Sequence, residues 1–90
     1  MKNYYVQNIA YRIRKVAGQN VIIGENKCFE LNEVASEIWN YLYDAKSEEE
    51  IVEFISNEFN VERSRAENDI NIFLERMLEN KALMVFSDGE

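Results

Sequence analysis

Apolar positions change their period about a third of the way along this 90-residue chain. Up to Leu31 they favour alternation. Ile9, Tyr11 and Ile13 alternate with Ala10, Arg12 and Arg14, the two-residue period of a half-buried strand. Gly18-Gln19-Asn20 reads as a turn, followed by the β-branched run Val21-Ile22-Ile23. Gly24-Glu25-Asn26 is a second turn. Lys27-Cys28-Phe29-Glu30-Leu31 then forms a third short strand with Phe29 and Leu31 on one face. These segments predict an antiparallel meander of about three strands, and its apolar face needs a cover.

After Leu31 the period becomes helical. Asn32 is an N-cap for a first helix running to about Tyr43, with Val34, Ala35, Ile38, Trp39 and Leu42 at 3–4 spacing. Ser47-Glu48-Glu49-Glu50 has the form of a capping box and opens a second helix with the stripe Ile51, Ile55 and Phe59. Ser64-Arg65-Ala66-Glu67 reads as a second box, opening a third helix to about Asn80. Acids crowd the first turns of helices two and three, where the helix dipole favours them. Leu83-Met84-Val85-Phe86 is a short closing strand or an extended tail on the core. The fold class expected is α+β, a winged helix-turn-helix-like domain over residues 1–90 with a three-stranded antiparallel sheet packed on three helices.

Composition narrows the chemistry. Hydrophobic residues make up 47% of the chain and charged residues 30%, enough apolar surface to fold and too much for a disordered segment. Histidine is absent, which excludes Ser-His-Asp and Cys-His pairs, His-ligated metals and an imidazole base. Cys28, the one cysteine, cannot close an intramolecular disulfide. The three glycines stand too far apart for a phosphate-binding loop. No cofactor or metal is expected. No apolar run is long enough to span a membrane, and the N-terminus lacks a signal-like apolar core, so a cytoplasmic protein is expected. The net charge of −7 is uneven: residues 1–31 carry +3 and residues 32–90 carry −10. An acidic helical surface keeps a small domain soluble and disfavours anionic partners.

Two features stand apart from the core. On helix three, Ala66, Ile70, Phe73, Leu74 and Met77 occupy roughly a third of the wheel, while Ile72 lies nearly opposite, flanked by Arg65, Asp69 and Arg76. A lone exposed isoleucine is commonly without consequence. It is also what a shallow groove with polar walls would show, with Phe73 as its floor. In addition, a meander in sequence order leaves the strand at 27–31 as an edge, with no proline and with Lys27 and Glu30 near its two ends. Such an edge is a template for a further strand.

The run Phe29-Glu30-Leu31-Asn32-Glu33-Val34-Ala35-Ser36-Glu37-Ile38-Trp39 resembles the corresponding segment of PqqD-like proteins, the leader-peptide recognition domains of ribosomal peptide natural-product pathways. The likeness continues through Ser47-Glu48-Glu49-Glu50-Ile51, through the segment from Asp69 to Leu78, and through Ala82-Leu83-Met84. It departs at Ala45, where the family usually has glycine, and in lacking early prolines. The resemblance implies that a leader segment adds as a strand beside the third strand and packs on the third helix. Its contacts would be Lys27, Cys28, Phe29 and Glu30 on the strand, and Asp69, Ile72, Phe73 and Arg76 on the helix. It also implies a domain without chemistry of its own. Such a domain hands the precursor to a maturation enzyme, either a radical-SAM enzyme or, as in lasso peptide assembly, a leader peptidase. A chain this short with tryptophan at position 39 fits the lasso type.

Other function classes fit less well. A winged-helix DNA-binding regulator shares the architecture, but its recognition helix brings cations to phosphates. Here helix three is net negative, helix two has acids and no cation, and only Arg12, Arg14 and Lys15 form a basic patch. The carboxylate pairs an enzyme would need lie at helix starts and exposed faces, where capping and solubility explain them. Cys28 reads as a small, partly buried residue rather than a reactive thiol, and Trp39 and Tyr43 as core and boundary aromatics. A structural adaptor or a homodimer through the open edge would self-associate without any peptide.

Overall fold

The computed structural model describes residues 2–88. The elements run β1 (Asn3–Gln7), β2 (Arg12–Val16), β3 (Gln19–Gly24), β4 (Lys27–Leu31), α1 (Glu33–Tyr41), β5 (Lys46–Ser47), α2 (Glu48–Phe59), α3 (Arg63–Glu79) and β6 (Leu83–Ser87). The expected meander is present as an antiparallel sheet of order β2-β3-β4, and the expected three helices follow it. A second antiparallel sheet of order β5-β1-β6 joins the two ends of the chain, with Tyr4 opposite Phe86 and Val6 opposite Met84. The closing segment is therefore a strand.

Several boundaries differ from the sequence expectation for local reasons. The first meander strand begins at Arg12, and Ile9 is 94% exposed. It sits in a turn where the Asn8 carbonyl accepts from the Tyr11 amide and Asn8 Oδ1 accepts from the Ala10 amide. The following turn is Ala17-Gly18, with φ of 54° and 82°, the two positive values of a type I′ hairpin loop. Helix α1 stops at Tyr41, where the Leu42 amide donates to two carbonyls of its last turn.

The capping box at Ser47 is complete: Ser47 Oγ accepts from the Glu50 amide and Glu50 returns the bond to the Ser47 amide. The box expected at Ser64 does not form. Asn60 turns the chain left-handed (φ 53°) and α3 starts three residues later, with Glu62 at the cap position and no side-chain cap bond. Its first turn consequently carries no acid.

One core joins all the helices and both sheets. Tyr5 and Leu83 come from the terminal sheet, Ile22 and Leu31 from the meander, and Ile38, Trp39, Ile51, Ile55, Ile70 and Met77 from the helices. Tyr41 stacks on Phe54 with centroids 4.1 Å apart, and Lys46 lies over both Tyr41 and Tyr43 while paired with Asp44 at 2.6 Å. That Asp44 hydrogen bond holds the Lys46 ammonium above its ordinary pKa. Among the described residues, no helix is long and apolar enough to cross a membrane.

Candidate functional site

Backbone geometry decides what β4 offers its surroundings. A two-residue I′ loop makes Val16 and Gln19 a hydrogen-bonded pair. Alternation then directs the peptide groups of Asn20, Ile22 and Gly24 towards β4. Their partners Leu31, Phe29 and Lys27 face inward, so Cys28 and Glu30 present their N–H and C=O groups at the outer edge. Among the described residues no strand pairs with that edge.

Side chains on β4 divide the same way. Phe29 and Leu31 turn towards the core, whereas Cys28 and Glu30 lie on the opposite face of the sheet, so Cys28 is exposed rather than partly buried as its residue type suggests. The sequence-predicted strand residues thus separate into two kinds. Cys28 and Glu30 bring backbone to the edge, and Phe29 brings a ring.

Helix α3 lies beside this edge. Ala66, Ile70, Leu74 and Met77 anchor it in the core, and Phe73 is buried at the margin of that stripe. Ile72 projects outward and is 59% exposed. Asp69, Ile72, Phe73 and Arg76 line one wall of a groove of about 240 Å³, whose other wall is Asn32, Val34, Ala35 and Ile38. The Arg76 guanidinium stands 5.5 Å from the centroid of the Phe29 ring and so ties the groove to the edge strand. All four predicted helix residues therefore come together, and Phe29 joins them. Lys27 sits further along, in a neighbouring cleft with Tyr11, Asn80 and Lys81.

The wall from α1 went unassigned in the sequence. Their 3–4 spacing puts Val34 and Ala35 in the α1 core stripe, yet each is only half-buried. Asn32 fixes where they stand: its side chain accepts from the Ala35 amide, and its carbonyl accepts from Ser36 Oγ. Ser36 in turn accepts from Asn20 Nδ2 on β3, which clamps α1 to the meander. The signal available was position, since Val34 and Ala35 follow directly on the edge strand.

A larger depression of about 520 Å³ lies between Tyr4 and the start of α2, lined by Glu49, Glu50 and Glu53. It has a polar, acidic floor and suits an apolar side chain poorly. Among the described residues, no cluster of three or more acidic, cysteine or histidine side chains is arranged to hold a metal ion.

The fold that carries this open edge and groove has known relatives. Residues 19–83 match the sequence profile of the family described as Coenzyme PQQ synthesis protein D (PqqD). The chain belongs to the PqqD family. Its fold is shared with TbiB1, solved in complex with the TbiA(beta) leader peptide, at 28% identity and a TM-score of 0.75, over 92% of this chain and 99% of that one. It is also shared with the PqqD truncation of Methylobacterium extorquens PqqCD, solved by solution NMR and described as a functional, stand-alone recognition element for ribosomally synthesised and post-translationally modified peptides. That match has a TM-score of 0.76 at 14% identity, over 90% of this chain and 88% of the other. No curated protein matches. The matched PqqD region includes β3, β4, all three helices and the first residue of β6, and so contains both walls of the groove.

Proposed function

We propose that this chain binds the leader segment of a ribosomally made precursor peptide in extended form. The leader adds as a strand to the open edge of β4, bonding to the peptide groups of Cys28 and Glu30. One apolar side chain of the leader rests in the groove between α1 and α3, against Ile72 and Phe73. Asp69 and Arg76 form the polar walls, and Lys27 and Phe29 flank the strand. The observation that carries this reading is the unpaired β4 edge lying directly beside an apolar groove. Strand addition supplies affinity from backbone bonds, and the groove supplies selectivity.

Membership of the PqqD family supports the reading, as does the likeness to TbiB1, whose structure holds a leader peptide. In this role the chain performs no chemistry. It delivers the bound precursor to a maturation enzyme in the cytoplasm, either a leader peptidase of the lasso type, towards which the short chain and Trp39 lean, or a radical-SAM enzyme. DNA recognition is disfavoured because α3 carries Arg63, Arg65 and Arg76 against Glu67, Asp69, Glu75 and Glu79.

An amide NMR titration of the labelled protein tests the proposal, with the N-terminal half of the precursor encoded beside it and, separately, with duplex DNA. Saturable shifts confined to residues 27–31 and to the Asp69–Arg76 face of α3, with the peptide alone, are expected. Salt-sensitive shifts around Arg12 and Arg14 with DNA, and none with the peptide, would overturn it.

A further inference from the structure

The groove is electrically asymmetric along its length. Asp69 and Arg76 are seven residues apart on α3, which puts them on one face about 10 Å apart, with Ile72 and Phe73 between them. Both are exposed, and neither belongs to an ion pair among the described residues, where the pairs are Lys2–Glu49 and Lys46–Asp44.

The direction of α3 relative to β4 follows from their neighbours. Asp69 shares the groove with Asn32 and Val34, which come just after β4. Arg76 lies over Phe29, in the middle of the strand. Asn80 and Lys81, just past the helix, share a cleft with Lys27 at the beginning of the strand. Helix α3 therefore runs opposite to β4. The end of the site near Lys27 is basic through Lys27, Lys81 and Arg76, with Glu25 as its one acid neighbour in that cleft. The end near Asn32 is acidic through Asp69 and the adjacent Glu33, and Arg65 lies a helical turn before Asp69, outside the groove.

Antiparallel pairing is the stronger strand geometry, and a strand added antiparallel to β4 runs in the same direction as α3. Its N-terminal half then passes Asp69 and its C-terminal half passes Arg76 and Lys27. The peptide residue opposite Lys27 shares that side chain's face of the sheet and meets it directly.

We infer that the site selects its peptide by charge order: a basic residue on the N-terminal side of the apolar anchor and an acidic residue on the C-terminal side. This rests on the strand-addition reading above and specifies which peptides that reading admits. Unpaired charges at the rim of a groove discriminate by sign, because a reversed peptide would set like charges against each other.

The test is selection from a phage-displayed library of random decapeptides. The baits are the full chain and its Asp69→Lys/Arg76→Glu double variant. With the native chain, base–apolar–acid sequences are expected to outnumber the reverse order by about two- to fivefold per charge pair. With the double variant the order inverts, and its melting temperature confirms that the exposed substitutions leave the fold intact. The native preference also fades when the wash is raised to about 0.5 M salt, where screening acts over a few ångströms. Enriched peptides with no charge order, or with the same order on both baits, would overturn the inference and leave peptide binding standing. Failure of the native chain to enrich any peptide would overturn peptide binding itself, and this inference with it.

Discussion

The guanidinium of Arg76 stands 5.5 Å from the centre of the Phe29 ring, and this contact joins the last turns of α3 to the middle of the edge strand β4. Neither residue belongs to the fully buried core. The pair sets the spacing between the open strand edge and the groove, so its removal should show in binding more than in folding. Arg76→Ala is expected to lower stability by about 0.5–1 kcal/mol, the scale of a surface cation–π contact. It should also weaken peptide binding several-fold. Thermal melts and a peptide titration on the same sample separate the two effects. Equal losses in both would show that the contact is only structural.

Ile70 and Ile72 are two residues apart on α3 and meet opposite environments, fully buried and 59% exposed respectively. Ile72→Glu should leave the melting temperature nearly unchanged while sharply reducing peptide affinity. Ile70→Glu places a charge in the core and should cost more than about 4 kcal/mol, enough to unfold a small domain. Circular dichroism melts and anisotropy titrations read the contrast. Undiminished affinity in Ile72→Glu would remove the groove from the binding site.

Gly24 has no room for a side chain, because the ring of Tyr11 occupies the place where its Cβ would stand. Tyr11 also donates its hydroxyl to the Asn80 carbonyl at 3.0 Å, linking the meander to the end of α3. Gly24→Ala must push that ring aside and is expected to cost about 1–3 kcal/mol, as overpacking typically does. A chemical denaturation midpoint measures this directly.

The two serines that resemble caps offer a matched pair. Ser47 makes both bonds of a capping box, so Ser47→Ala should cost about 0.5–2 kcal/mol. Ser64 lies inside the first turn of α3 and caps nothing, so Ser64→Ala should change stability by less than about 0.5 kcal/mol. Equal costs in a denaturation series would place the start of α3 at Ser64 after all.

That pair also shows how far the sequence could be read. Local patterns located the meander, the helices and the core stripe Ala66, Ile70, Phe73, Leu74 and Met77, because each is set by period and burial within a few residues. The start of α3 was misplaced because a left-handed Asn60 lets the helix begin early, and Ser56 Oγ fixes that corner by donating to the Val61 carbonyl. Strand β1 went unseen because Asn3–Gln7 is ordered by pairing with Leu83–Ser87, about eighty residues away. No local pattern reports such a partner. At the site, the α3 facet and the open edge were legible as an off-face isoleucine and an unguarded strand. The α1 wall was not, because half-buried Val34 and Ala35 carry the same apolar signature as core residues.

Strand addition makes a prediction at single amides. Hydrogen exchange measured by NMR, with and without the leader peptide, tests it most directly. In the free protein the amides of Phe29 and Leu31, bonded to β3, should exchange slowly, and those of Cys28 and Glu30, facing the open edge, should exchange fast. Bound peptide should slow Cys28 and Glu30 selectively, as each amide gains a carbonyl partner. Saturable binding that leaves the exchange of both amides unchanged would contradict strand addition to β4.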